Sequence, residues 1–236
     1  MKIFADETVV DSFILELLPE KGVCIEIGAN TISNSHCFHL YKKGWRGIVI
    51  EADPNTCKNL QDAYDEFSLP DVKIYNYAIC KDNGTKIFYS HNVNNSGLSS
   101  LYYNHATGLA DPGHKILREV IPFEVETKTL ETLIEENECC EIDYLQIDTE
   151  GADAEIILST DFSKVKPKII FAETNKLHCY LGTDVKKCPE VWEMVSEHLS
   201  KYNYKLIAVI KNEAYVKQFC PDIGDTPMGA IWELNK

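Results

Sequence analysis

The sequence predicts an α/β fold in which a doubly wound, mostly parallel sheet is covered by helices on both faces. Residues 23–27, Val-Cys-Ile-Glu-Ile, are apolar at nearly every position and lead into Gly28, as expected for a buried parallel strand that ends in a tight turn. A second strand from residue 47 leads into a helix that opens at Asp53-Pro54, and a third strand runs from Val72 to Tyr77. Three such units in succession indicate a parallel sheet.

Two helices are predicted around the first strand. Residues 1–20 are expected to form an N-terminal helix that leans on the sheet, because apolar side chains recur there at helical spacing. After the strand, Ser33 or Asn34 is expected to cap a second helix over residues 36–41.

The first two strands end in residues suited to a nucleotide. Glu26, Gly28 and Asn30 lie at the end of the first strand. The second strand ends in Glu51, close to the spacing at which an acidic residue that binds both ribose hydroxyls is expected. Asp53 follows and precedes a proline that opens the next helix. The sequence therefore predicts nucleotide binding at these strand ends.

Residues 81–123 are predicted to form an inserted loop or β region beside the substrate. Their polar stretch from Asn92 to Asn104 is long for a loop in a compact domain, and such loops are either disordered or functional. Ser99, Ser100 and Tyr102 lie in this stretch, and we expect them to contact the substrate. Tyr102 has the alternative role of packing the loop itself.

A second informative stretch runs from Ile142 to Gly151, where a strand leads into Asp148 and Glu150. Another buried strand ends at Glu173, which is also expected to face the substrate. Since the carboxyl ends of parallel strands meet at one edge of the sheet, these acidic residues should lie close to those of the first two strands.

The C-terminal part of the chain is predicted to complete the sheet. Residues 204–210 and 228–234 are expected to form an antiparallel pair that closes one edge. No internal repeat, linker or low-complexity segment interrupts the pattern, so residues 1–236 are predicted to form one domain.

The composition argues against several classes of partner and location. The chain has 37 acidic and 23 basic residues and a formal net charge of -14, so a nucleic acid gains no general electrostatic attraction. Nine cysteines without CxxC spacing indicate reduced thiols. Without a signal-peptide pattern or a long apolar stretch, the protein is expected to be cytoplasmic, with no membrane span. The oligomeric state is left open.

The chemistry of the strand ends favours one cofactor. A dinucleotide carries a negatively charged pyrophosphate and needs a glycine-rich helix start. The carboxylate of Glu26 instead suits a ligand with a cationic amino acid portion, and S-adenosylmethionine carries an ammonium and a sulfonium beside its ribose. Two alternatives stay open: a nicotinamide-dependent oxidoreductase, although residues 28–33 lack two glycines of the G-x-G-x-x-G pattern, and a catalytically inactive cofactor-binding scaffold.

Five segments between about residues 20 and 175 then match a known family in order and spacing: 26–30, 50–54, 76–79, 96–100 and 142–153. Together they resemble the FkbM-type methyltransferases, and the last segment is similar to the family's K-I-D-V-E-G-A-E block. Ile32 and Gln146 depart from the family, which commonly has a small residue and a lysine at these positions.

The resemblance implies a Rossmann-like class I fold, with a seven-stranded, mostly parallel sheet and an antiparallel strand at one edge. It also implies methyl transfer from S-adenosylmethionine to an oxygen, often a hydroxyl of a sugar, a glycan or a glycosylated small molecule. The cofactor-binding residues that it implies are Glu26, Gly28 and Asn30 on the methionine and ribose side, Glu51 on the ribose hydroxyls, Ala52, Asp53 and Ala78 around the adenine, and Asp148 toward the methyl-transfer site.

A sugar hydroxyl is a poor nucleophile and needs a base or a metal ion. Asp148 is the first candidate for the base, and His178 and Glu150 are the others. Mg²⁺ held by Asp148, Glu150 and Glu173 is a further possibility, because hard oxygen ligands suit this ion, but a simple base is preferred. Asp148 has an ordinary alternative role, which is to cap the helix that opens at Gly151.

Overall fold

The computed structural model describes residues 1–5, 8–91, 97–109, 118–182, 184–212 and 226–235. The strands in this part of the chain are β1 Lys2–Phe4, β2 Val23–Ile27, β3 Arg46–Ile50, β4 Val72–Tyr75, β5 Ala78–Ile79, β6 Gly84–His91, β7 Val120–Lys128, β8 Tyr144–Ile147, β9 Ile169–Glu173, β10 Tyr204–Ile210 and β11 Gly229–Leu234. One sheet has eight strands in the order β1-β10-β11-β9-β8-β2-β3-β4, and a smaller sheet has the order β5-β7-β6.

The main sheet confirms the predicted doubly wound, mostly parallel architecture. The chain runs outward from β2 through β3 to β4, and then returns to β8 on the other side of β2. The strand order therefore reverses between β2 and β8. In open α/β sheets ligands bind beyond the carboxyl ends of the strands at such a reversal.

Two details of the predicted sheet are wrong. The sheet has eight strands rather than seven, because β1 pairs in parallel with β10 at the outer edge. β10 and β11 do pair antiparallel, as predicted, but the antiparallel strand β11 lies between β9 and β10 and not at the edge. The three residues of β1 are too few to show a strand periodicity, so the sequence gives no sign that a strand precedes the N-terminal helix.

Helices cover both faces of the main sheet. The helices in the described part of the chain are α1 Thr8–Leu17, α2 Phe38–Tyr41, α3 Pro54–Glu66, α4 Tyr103–Ala106, α5 Leu130–Glu136, α6 Asp153–Ser159 and α7 Cys188–Lys201, with 3₁₀ turns at Leu177–Leu181 and Val185–Lys187. Of these, α4 packs against β6 of the smaller sheet. Among the described residues, no helix combines the length and the apolar character that crossing a membrane would require.

Each face of the main sheet has its own core. On one face, Ile14 of α1 and Leu60 of α3 share a buried cluster with Val49 of β3. On the other face, Ile156 of α6 shares a second cluster with Ile27 of β2. Burial on both faces explains why the central strands read as continuous apolar runs in the sequence.

The smaller sheet corresponds to the inserted β region predicted over residues 81–123. β6 and β7 form an antiparallel pair, and β5 pairs in parallel with the end of β7. Ala78 and Phe88 share a small core between the strands. The hydroxyl of Ser90 donates a hydrogen bond to the carboxylate of Asp53, which links this sheet to the carboxyl end of β3.

Candidate active site

A cavity of about 420 Å³ lies at the carboxyl ends of β2, β3 and β8, where the strand order reverses. Nine residues singled out from the sequence line it: Gly28, Asn30, Glu51, Ala52, Asp53, Ala78, Ser99, Asp148 and Glu150. The other five lie outside its wall: Glu26, Ser100, Tyr102, Glu173 and His178.

The turn after β2 brings two strand ends into close contact. Gly28 has a φ of +84°, and a Cβ at this position would overlap the backbone oxygen of Asp148. Asn30 has a φ of +54°. Backbone in this left-handed region is uncommon for residues other than glycine and is found where the chain turns tightly beside a ligand.

Glu51 ties the loops after β2 and β3 together. Its Oε2 accepts a hydrogen bond from the backbone N–H of Asn30 and its Oε1 accepts one from that of Asp53, both at 2.8 Å. Burial raises the pKa of Glu51 to about 7, although these hydrogen bonds lower it. Each carboxylate oxygen has a second lone pair, so Glu51 can accept hydrogen bonds from two hydroxyl groups in the cavity.

Asp53 is largely engaged with the protein itself. Its Oδ1 accepts hydrogen bonds from the backbone N–H groups of Asn55 and Thr56 at 2.9 and 3.1 Å, and so caps α3. Its Oδ2 accepts the hydrogen bond from Ser90. These bonds fix the loop that carries Ala52 into the cavity wall.

Glu26 lies behind the cavity wall, in contrast to the expectation that it lines the methionine side. It is 1% exposed, and its two oxygens accept hydrogen bonds from the hydroxyl of Ser35 at 2.7 Å and from the backbone N–H of Cys37 at 3.3 Å. Burial raises its pKa to about 7. Glu26 therefore supports the segment that carries His36 into the wall, a position for which the sequence analysis assigned no role.

The helix predicted over residues 36–41 is shorter in the structure, where only α2 remains. The hydroxyl of Ser35 accepts the hydrogen bond from the first backbone N–H of α2 at 2.9 Å, so neither Ser33 nor Asn34 is its cap. Because the same hydroxyl donates to Glu26, the start of the helix is tied to β2.

Three carboxylates gather at the other end of the cavity. One oxygen from each of Asp148, Glu150 and Glu173 lies within 4.8 Å of the others. The ammonium of Lys176 lies among them, in contact with Oε2 of Glu150 and 3.0 Å from both oxygens of Glu173. Nε2 of His105 is 2.7 Å from the same Oε2. The sequence predicts the three carboxylates at this edge of the sheet, but it does not predict Lys176 or His105 beside them.

The surroundings drive the pKa values of Asp148 and Glu150 apart. Burial, reinforced by the charge of Glu150, raises the pKa of Asp148 to about 7. Burial would also raise the pKa of Glu150, but Lys176 and His105 outweigh it and lower that pKa to about 2. Near neutral pH Glu150 is therefore ionised, whereas Asp148 can gain or lose a proton.

Asp153, the first residue of α6, binds the loop that precedes the helix, whose N-cap position is Ala152. Its carboxylate accepts hydrogen bonds from the hydroxyl of Thr149 at 2.9 Å and from the backbone N–H of Gly151 at 3.2 Å. Asp148 therefore does not cap α6, and its side chain lies in the cavity wall.

The loop from β6 to α4 reaches the cavity through Ser99, whose hydroxyl accepts a hydrogen bond from the backbone N–H of His91 at 3.0 Å. Ser100 is fully buried, and its hydroxyl donates to the backbone oxygen of Glu150 at 2.7 Å. Ser100 therefore supports the strand end behind the wall. Residues 92–96 of the predicted loop lie outside the described part of the chain.

Two further predicted residues pack within the protein. The hydroxyl of Tyr102 is 3.3 Å from the carboxylate of Glu155 on α6. His178 is 3% exposed, with Nδ1 at 3.2 Å from Sγ of Cys188 and Nε2 at 3.8 Å from that of Cys179. The 3₁₀ turn after β9 buries this ring, which does not line the cavity.

A comparison with protein families gives a match over most of the chain. The family model described as "Methyltransferase FkbM domain" matches residues 26–206. No curated protein gives a significant match.

Three of the solved structures to which the chain is similar have low sequence identity to it. A fibrillarin pre-rRNA processing protein of Methanococcus jannaschii is 14% identical, with 92% of this chain and 70% of that chain covered at a TM-score of 0.47. A precorrin-6y C5,15-methyltransferase of Geobacter metallireducens is 16% identical, with 96% and 89% covered at a TM-score of 0.43. An O-methyltransferase of Bacillus cereus in complex with SAH is 10% identical, with 98% and 82% covered at a TM-score of 0.49.

Proposed function

The chain belongs to the FkbM methyltransferase family and is an S-adenosylmethionine-dependent methyltransferase, and from this premise we propose that it methylates a hydroxyl oxygen of a sugar, a glycan or a glycosylated small molecule. The observation that carries the proposal is the pair of carboxylates with opposite pKa shifts at one end of the cavity. A hydroxyl needs a base, and Asp148 has a pKa suited to that task near neutral pH.

The remaining features of the chain support this choice of acceptor and setting. A net charge of -14 favours a small acceptor over a nucleic acid. The described cysteines are free thiols, which supports a reducing, cytoplasmic location. We treat residues 1–236 as one domain, because β11 lies beyond the family match and yet occupies an inner position in the main sheet.

The acceptors and donors around the cavity fit S-adenosylmethionine. We assign the ribose hydroxyls to the free lone pairs of Glu51, and the adenine to the wall formed by Ala52, Asp53 and Ala78. The turn through Gly28 and Asn30 is assigned to the methionine and ribose side, with Glu26 as a support behind it. We propose that the cationic sulfonium binds at the end of the cavity that carries the carboxylates of Asp148 and Glu150.

The proposed reaction is an in-line displacement in which the chain has two tasks. Bound S-adenosylmethionine supplies an electrophilic methyl carbon on its sulfonium. The cavity wall holds the acceptor oxygen in line with the carbon–sulfur bond, which removes most of the entropic cost of the encounter. Asp148 takes the proton of the hydroxyl as the new oxygen–carbon bond forms and the carbon–sulfur bond breaks.

The function is tested by the transfer of labelled methyl from S-adenosylmethionine to a panel of monosaccharides, oligosaccharides, glycosylated natural products, RNA and protein. We expect label in a sugar-containing acceptor. Label in RNA or protein alone would replace the proposed acceptor class. If no member of the panel is labelled although S-adenosylhomocysteine binds, the result would favour the scaffold alternative.

Glu51→Gln is expected to weaken the binding of S-adenosylmethionine and of S-adenosylhomocysteine to a similar degree, by roughly 10- to 100-fold. The reason is that hydrogen bonds to a charged group contribute about 1.5–3 kcal/mol, and an amide has one acceptor oxygen instead of two. Calorimetric titration with both ligands measures the change. The exposed Glu66→Gln on α3 is the matched control and should bind both as the wild type does. Unchanged affinities in Glu51→Gln would show that Glu51 does not bind the ribose hydroxyls.

A further inference from the structure

The carboxylate cluster has the ligand chemistry of a divalent cation site but already contains a cation. Oxygens of Asp148, Glu150 and Glu173 all lie within 4.8 Å of one another, and such oxygens suit Mg²⁺ or Mn²⁺. The ammonium of Lys176 contacts two of these carboxylates. A divalent ion that bound all three would have to lie beside this ammonium or displace it, and like charges at such distances repel strongly where water is scarce.

The ammonium is held in place from several sides. The side chain of Lys176 is 17% exposed, and both oxygens of Glu173 lie 3.0 Å from its Nζ. Burial by itself would lower the pKa of Lys176, but the charges of Glu150, Glu173 and Asp148 raise it well above its usual range. The contacts with Glu150 and Glu173 therefore stabilise the positive charge of Lys176.

His105 completes the arrangement around Glu150. Its Nε2 and the ammonium of Lys176 both contact Oε2 of Glu150, whereas its buried Nδ1 has no hydrogen-bond partner among the described residues. His105 therefore donates through Nε2, and Oε2 of Glu150 is saturated by the protein. Oε1 lies 4.0 Å from where a Cβ of Gly97 would be, on the cavity side.

We propose that Lys176 takes the place of a divalent metal ion at the methyl-transfer end of the cavity, and acts as a positioning residue that holds Glu150 and Glu173 so that Asp148 can serve as the base. The enzyme then needs no metal. The inference deepens the proposed function, but its test uses only metal and cofactor binding and no acceptor, so either can fail without the other.

The test compares Mn²⁺ binding, measured by electron paramagnetic resonance on the full chain, in the wild type and in Lys176→Met. The wild type should show no saturable Mn²⁺ binding in the micromolar range. Lys176→Met should bind Mn²⁺ at least tenfold more tightly, and the additional change Asp148→Asn should abolish this gain. Lys168→Met is the matched control, because this lysine is 60% exposed and pairs with Asp143; it should behave as the wild type does.

A second measurement separates this role from a merely structural one. Without the ammonium of Lys176, less of the negative charge of the carboxylates is neutralised, and this charge attracts the sulfonium that only S-adenosylmethionine carries. The ratio of the affinity for S-adenosylmethionine to that for S-adenosylhomocysteine should therefore rise about tenfold in Lys176→Met. If the Lys176→Met protein does not fold, Lys176→Gln is used in its place, because its side chain is uncharged but can still donate hydrogen bonds. Micromolar Mn²⁺ binding by the wild type that is lost in Asp148→Asn would overturn the proposal, as would an affinity ratio unchanged in a folded variant.

Discussion

Replacement of Asp148 by asparagine is expected to lower the rate of methyl transfer by about 10²–10⁴-fold, the usual contribution of a general base, and to leave the affinity for S-adenosylhomocysteine almost unchanged. Asparagine preserves the shape of the side chain but cannot take a proton. The side chain lies in the cavity wall, and the N-cap position of α6 is Ala152 and not Asp148. The fold should therefore tolerate the change.

The measurement is the initial rate of labelled methyl transfer to the best acceptor of the panel, with calorimetric binding of S-adenosylhomocysteine in parallel. Asp62→Asn is the matched control, since Asp62 is exposed on α3 and pairs only with Lys58 in the described part of the chain. A variant at Asp148 that keeps its turnover would show that another group removes the proton. Loss of cofactor affinity together with turnover would instead assign Asp148 to the cofactor alone.

The strand ends could be predicted because topology alone places them. Once β2, β3 and β8 are recognised as parallel strands of one sheet, their carboxyl ends must meet. Glu51 and Asp148 follow directly from this rule, and both line the cavity. The pKa of about 7 for each depends on burial by the rest of the chain, which local sequence does not reveal.

The direction in which the side chain of Glu26 points could not be predicted from the sequence. Side chains alternate between the two faces of a strand. Ile25 and Ile27 belong to the core on one face and Cys24 belongs to the core on the other, so Glu26 shares the side of Cys24 and meets the segment before α2. Because β2 is apolar on both faces, the sequence shows no alternation from which this direction could be read.

Lys176 and His105 depend on tertiary contacts. Lys176 follows Glu173 by three positions and could have been considered as a partner of that strand end. His105 is 45 residues from Glu150 and comes from a helix of four residues inside the inserted region, so no local pattern indicates their contact. The same applies to His178, which the sequence places on a loop and the fold buries.

The preference of the protein for S-adenosylmethionine over S-adenosylhomocysteine is expected to fall about tenfold between pH 8 and pH 6. The pKa of Asp148 is raised to about 7, so its carboxylate is mostly ionised at pH 8 and mostly neutral at pH 6. An ionised Asp148 attracts the sulfonium of the methyl donor, whereas the product has a neutral sulfide. Binding of the cationic donor in turn lowers the pKa of Asp148. Linkage requires that ionisation of Asp148 strengthens donor binding by the same free energy by which donor binding favours ionisation.

The ratio of the two affinities separates titrations at the sulfonium end of the cavity from those elsewhere, and Asp148→Asn separates Asp148 from Glu173, whose pKa burial also raises. Glu51 and Glu26 also have pKa values of about 7. Glu51 faces the ribose, which donor and product share, and Glu26 faces the protein itself, so their titration changes both affinities together. Glu150 has a pKa of about 2 and stays ionised throughout. Calorimetric titrations of both ligands at pH 6, 7 and 8 measure the ratio, and Asp148→Asn should flatten its pH dependence. A ratio that is constant in the wild type, or that rises toward pH 6, would mean that Asp148 does not face the sulfonium.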